Sequence, residues 1–257
     1  MKQIAAGIAT LALLVLFWQV VVWLAAPPPF ILPGPAAVAR ALMDQGGLLL
    51  RHGWLTLVEI VAGMAVGSLM GIGAGIGLGA TRHLRHLLLP LVVASQAIPV
   101  FAVAPLLVLW LGFGLASKIA MASLIIFFPV TVAMADGITR LDPVLADQAR
   151  VMTGGSARPG RRLRLIRHLY GPAALPALAS GLRIAAAVAP IGAVVGEWVG
   201  AAGGLGWLML QANARARIDL MFAALIVLAV MAVALYRLVD AGLRRAAPWA
   251  APQSPIS

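Results

Sequence analysis

The 257 residues are 62% hydrophobic and only 11% charged, with a mean hydropathy of +1.01, whereas a soluble domain carries roughly 25% charge. That balance excludes an ordinary water-soluble fold and describes an all-α polytopic membrane protein. The formal net charge of +11 is read as topological, because Arg and Lys collect in cytoplasmic loops of membrane proteins; no nucleic-acid partner is expected. The absence of cysteine excludes disulfides, thiolate metal sites and catalytic thiols.

Six spans are predicted, at about 5–26, 55–80, 87–112, 115–136, 173–196 and 218–242, each near the 20 apolar residues that cross about 30 Å of hydrocarbon. The first is read as a retained helix rather than a signal peptide. Its apolar run is long, and no small-residue cleavage site precedes Pro27–Pro29. The prolines that follow make a rigid connector, and Pro35–Met43 suits a short interfacial helix with proline in its first turn.

The second span carries Gly67, Gly71, Gly75 and Gly79, four residues apart and so near one helix face. In lipid such a face lets another helix approach closely. A dinucleotide-binding loop is the alternative, but the G-x-G-x-x-G spacing is absent. The third span holds Pro90, Pro99 and Pro105. Each removes a helix donor and crowds the preceding turn, so a kinked or broken helix is expected. Ser95 and Gln96 beside Pro99 suit a polar pathway, or a kink satisfied by neighbouring helices. Arg183 lies within the fifth span and Glu197 at its end; both are pathway candidates, with snorkelling or ion pairing open to Arg183 and helix anchoring open to Glu197.

Charge orients the spans. With the N-terminus inside, thirteen of the nineteen cationic side chains fall in cytoplasmic segments. The outer segments hold five (Arg40, Arg51, Lys118, Arg215 and Arg217), leaving Arg183 in a span. Both termini and the basic segment 140–176 are therefore expected in the cytoplasm.

Several chemistries lack their residues. The only lysines are Lys2 and Lys118, and neither sits in the Gly-rich turn that a P-loop needs. Of the four histidines only His83 and His86 stand three apart, and beside arginines at a membrane edge they are read as a solvated pair rather than a metal site; no G-x-S-x-G elbow occurs. A transport protein without its own ATPase site, cofactor or metal is the reading; an ion- or proton-coupled carrier acting without an ATPase remains the alternative. An integral-membrane transferase using the basic loop to hold a lipid phosphate is a weaker one.

The run "ADQARVMTGGSARPGRRLRLIRHLYGPAALP" resembles the cytoplasmic coupling loop of binding-protein-dependent ABC importer permeases. The stretches "PPFILPGPAAVARAL", "SQAIPVFAVAPLLVLWLGFGLASKIAMASLIIFFPV" and "GEWVGAAGGLGWLMLQANARARIDLMFAALIVLAV" are similar to the nitrate/sulfonate/taurine-type permeases, and within them to permeases for the pyrimidine precursor of thiamine. The resemblance implies a single permease domain over 1–257 with the type I importer fold and a coupling loop at 140–176. Asp147, Gln148 and Ala149 stand at the loop's leading positions, Met152, Gly154 and Gly155 at its turn, and Pro172 (or Pro176) at its close. It implies two ATPase subunits that bind the ATP, a substrate-binding protein, a homodimer in membrane lipid, and a bacterial cytoplasmic (inner) membrane location. Thr153 replaces the family's glycine, and Asp147 to Pro172 is about six residues longer than the pattern.

Overall fold

The computed structural model describes residues 2–80, 85–87, 90, 92, 94, 98–141, 166–200 and 202–248. Among the described residues there are eight α-helices and no strand. They are α1 (Lys2–Ala25), α2 (Pro35–Asp44), α3 (Gly46–Ala80), α4 (Val100–Leu111), α5 (Leu115–Thr139), α6 (Gly171–Gly200), α7 (Leu205–Ala214) and α8 (Ile218–Ala246); a π-turn, Ile166–Tyr170, leads into α6. Four stretches, in α3, in α5, in the turn with α6, and in α8, are long and apolar enough to cross a bilayer. Ala9–Ala25 and Val100–Leu111 are shorter apolar helices at the first and third predicted spans.

Two boundaries differ instructively from the sequence reading. α3 begins nine residues earlier than the predicted span and has 35 residues, about 50 Å at 1.5 Å per residue. Its first turns continue past the apolar window because they have partners: Leu49 is buried with Val38, Ala41 and Leu205 against α2 and α7. In the third span, α4 starts at Val100 directly after Pro99, whose φ of −59° and ψ of 122° leave the helical region, so the chain breaks at this proline. Pro105 is carried inside α4.

α5 is the central helix, clasped by α3 on one side and α6 on the other. Lipid tails are as apolar as leucine, so helices in a bilayer associate through close van der Waals packing. A Cβ built on Gly67 would stand 2.7 Å from the Ser123 carbonyl oxygen, one on Gly71 2.9 Å from Val130, one on Gly75 2.5 Å from Met134 and one on Gly79 2.7 Å from Ile138. Gly63 extends the row, its Cβ position 2.5 Å from Ala122. From the other side Gly192 lies against the Ala122 backbone and Gly196 against Lys118, with Cβ positions 2.7 and 3.1 Å from the two Cα atoms. Missing side chains on both neighbours therefore set how close α5 lies to each. Large apolar side chains such as Leu69, Leu109, Trp110 and Leu238 stay mostly exposed, as a lipid-facing surface requires.

Candidate functional site

The first turn of any α-helix leaves four N–H groups without helical acceptors. In α7 the four amides from Gly204 to Trp207 all find side-chain acceptors on other helices. Gly204 donates to Nδ1 of His52 at 3.1 Å and Leu205 to Oγ1 of Thr56 at 2.8 Å, both on α3. Gly206 and Trp207 donate to Oε2 of Glu197 at the end of α6, the latter at 3.3 Å. Thr56 in turn donates to Oε1 of Glu197 at 2.6 Å, and His52 stacks on Trp207 with ring centroids 5.4 Å apart. Gly204 holds φ at +116° with its Cβ position overlapping the Glu197 carboxyl, so only glycine satisfies both the backbone and the space.

Behind this turn lies a buried ion pair. Lys118 Nζ, from the first turn of α5, is 2.7 Å from Oε1 of Glu59 on α3 and also donates to the Gly203 carbonyl at 3.3 Å. The two side chains are 9% and 1% exposed. Glu59 Oε2 is among the few buried polar atoms without a partner in the described residues.

Towards the opposite end of the helices, a groove of about 1000 Å³ runs along the side of the α5–α6 pair, which is held close where Gly181 meets Ala133 and Gly137 meets Ala174. Phe128, Pro129 and Ile184 give it apolar walls, and Asp136, Arg140 and Ser180 bring polarity. Proline has no N–H, so the Ile125 carbonyl loses its helical donor at Pro129 on this same wall. Nearby, Arg183 Nε meets Oδ1 of Asp240 on α8 at 2.7 Å, and Arg244 holds Oδ2 at 2.7 Å.

The residues singled out from sequence therefore separate. Glu197 is 1% exposed with both oxygens given to Thr56 and α7, and Arg183 is half-buried on Asp240. Pro99 caps α4 and is exposed; Pro172 is exposed in the first turn of α6. Gly67, Gly71, Gly75 and Gly79 all face α5. Ser95, Gln96, Asp147, Gln148, Ala149, Met152, Gly154 and Gly155 lie outside the described residues.

Residues 63–249 match the family described as binding-protein-dependent transport system inner membrane component. The chain belongs to that family. This permease is 50% identical over 232 residues to a probable ABC transporter permease protein of Haemophilus influenzae, covering 90% of this chain and 92% of that one. It is 39% identical to the riboflavin transport system permease protein RibX of Chloroflexus aurantiacus, covering 88% of this chain and 83% of that one. It is 37% identical to the formylaminopyrimidine transport permease protein ThiX of Halalkalibacterium halodurans, covering 70% of each. Among solved structures, an inward-facing MetNI methionine ABC transporter chain superposes with a TM-score of 0.63 at 22% identity, over 79% of this chain and 97% of that one. The permease thus has the type I importer fold and is the membrane-embedded transport component of an ABC importer, in the inner membrane, rather than an enzyme.

Sequence reasoning put Lys118 among outer-segment charges and did not join it to Glu59. A lone charge of each sign inside apolar helices is a signal that partners exist, but 59 residues separate the two and nothing local pairs them. Asp136 and Arg140 share an α5 face with Pro129 at spacings of seven and eleven residues, a periodicity that was readable.

Proposed function

We propose that this permease translocates a small polar solute along the α5–α6 groove, which a second copy of the chain completes into a closed pathway. The observation that carries this is the groove itself: apolar and proline-lined along its walls, polar at Asp136, Arg140 and Ser180, and open on its side. α5 and α6 also flank the basic segment 140–176, the natural place for an ATPase to pull on both helices. In this reading segment 140–176 and both termini face the cytoplasm, where thirteen of nineteen cationic side chains gather.

Asp147, Gln148 and Ala149 enter a cleft of the ATPase, Met152, Gly154 and Gly155 form the turn, and Pro172 closes the loop. ATP is bound by the partner, and its closure rocks the helices between inward and outward openings. The α7 end faces the substrate-binding protein. Likeness to permeases named for formylaminopyrimidine and riboflavin, with Phe128 and Pro129 offering flat apolar faces, favours a heteroaromatic such as the thiamine pyrimidine precursor. A taurine permease of Escherichia coli at 31% identity keeps sulfonates as the competing class.

The test is co-purification with the cognate ATPase. Ala149→Arg is expected to abolish the pairing while the permease stays folded; retention of the ATPase by this variant would refute the coupling assignment. Calorimetry of the cognate binding protein with a pyrimidine, riboflavin and taurine then separates the substrate classes.

A further inference from the structure

We infer that α7 is not a flexible loop that opens during transport but a rigid part of the α3–α5–α6 unit, with His52, Thr56, Lys118, Glu59 and Glu197 as its positioning residues. The inference rests on the reading that the permease rocks between two openings, and it concerns which pieces move together.

The carrying observation is the completeness of the fastening. All four amides from Gly204 to Trp207 are taken by side chains of two different helices. The carbonyl of Gly203 is taken by Lys118 from a third, and Trp198 Nε1 donates to the Gly206 carbonyl at 3.0 Å. Opening this turn would strand buried donors together with the Glu197 carboxylate and one hydrogen bond of Lys118, in a part of the chain where burial leaves little water to replace them. The three helices that supply these partners cannot slide apart easily either, because Gly63, Gly192 and Gly196 bring their backbones into contact beside the cluster. A flexible gate needs few buried contacts and solvated backbone bonds; α7 has the reverse. Its motion is therefore the motion of the bundle, and the outer opening changes by α7 travelling with its own protomer.

Because the chain lacks cysteine, a single engineered disulfide tests this. Leu55 and Gly203 are neighbours, a Cβ on Gly203 lying 2.9 Å from Leu55 Cδ1. Leu55→Cys with Gly203→Cys would tie α3 to the turn entering α7. In the permease assembled with its ATPase, ATP turnover is expected to stay within about twofold on oxidation, because no relative motion is being blocked. Amide exchange at Gly204–Trp207 in the unsubstituted complex is expected to be equally slow without nucleotide and in the ATP-trapped state. Thr56→Val should speed it about tenfold or more, the scale of one lost buried hydrogen bond, and Thr56→Ser should restore it. Turnover lost on oxidation and regained on reduction, or exchange that accelerates when ATP is trapped, would overturn the inference. Absence of an ATPase partner altogether would instead strike at the function, and would show in co-purification.

Discussion

Replacing Lys118 by methionine is the sharpest single perturbation available. Methionine keeps the length of the stem but deletes the ammonium, leaving Glu59 with a side chain 1% exposed and its 2.7 Å partner gone. Breaking a buried pair from one side costs about 3–5 kcal/mol, because an uncompensated charge is stranded. Removing both charges strands neither of the pair, and Glu197 keeps its hydrogen bonds from Thr56 and the α7 amides. In Lys118→Met with Glu59→Gln the remaining loss is mainly the 3.3 Å hydrogen bond to the Gly203 carbonyl, about 1 kcal/mol. The double variant should therefore be more stable than the single one by about 2 kcal/mol or more. At about 2–4 °C per kcal/mol for a chain of this size, Lys118→Met should melt well below the parent, with much of the loss returned in the double variant. Thermal unfolding in detergent, followed by tryptophan emission, reads this directly, since Trp207 stacks on His52 in the same cluster. A single variant that melts with the parent, or a double variant less stable than the single, would refute the stranded-charge reasoning.

Gly75→Leu should destabilise the α3–α5 contact by about 1–3 kcal/mol or more, since even a Cβ there lies 2.5 Å from Met134. Gly73→Leu, on the same helix with nothing within 4 Å, is the matched control and should melt with the parent. Asp240→Leu should lower membrane yield more than Arg183→Leu, because the first leaves Arg183 without its partner while the second leaves Asp240 still held by Arg244 at 2.7 Å; equal yields would contradict this pairing. Ala177→Trp, filling the α5–α6 groove, is expected to block solute uptake into proteoliposomes while the ATPase still co-purifies. Undiminished uptake would place the pathway elsewhere.

Much of the architecture was legible because it depends on local pattern. Apolar run length located the helices, proline placed the break at Pro99, and the four-residue glycine spacing marked the α3 face; Gly63 lay on the same spacing and extends it. The α7 cluster was not legible, since its acceptors come from α3 and α6 and meet donors on α7 only once three helices have packed. Glu197 illustrates the difficulty. At the end of an apolar span a carboxylate reads equally well as pathway or anchor, and only the Gly206 and Trp207 amides and the Thr56 hydroxyl that donate to it distinguish its surroundings.

The two ion pairs between helices also bear on how the chain is made. Glu59 is synthesised 59 residues before Lys118, and Arg183 57 residues before Asp240. In each case the earlier helix meets the bilayer carrying a charge, whose cost rises to about 3 kcal/mol towards the membrane centre, and its counter-ion arrives on a helix still to be made. α3 and α6 are thus poorer residents of lipid alone than their hydropathy implies. Their secure insertion waits on α5 and α8, which makes assembly of the bundle part of the act of entering the membrane.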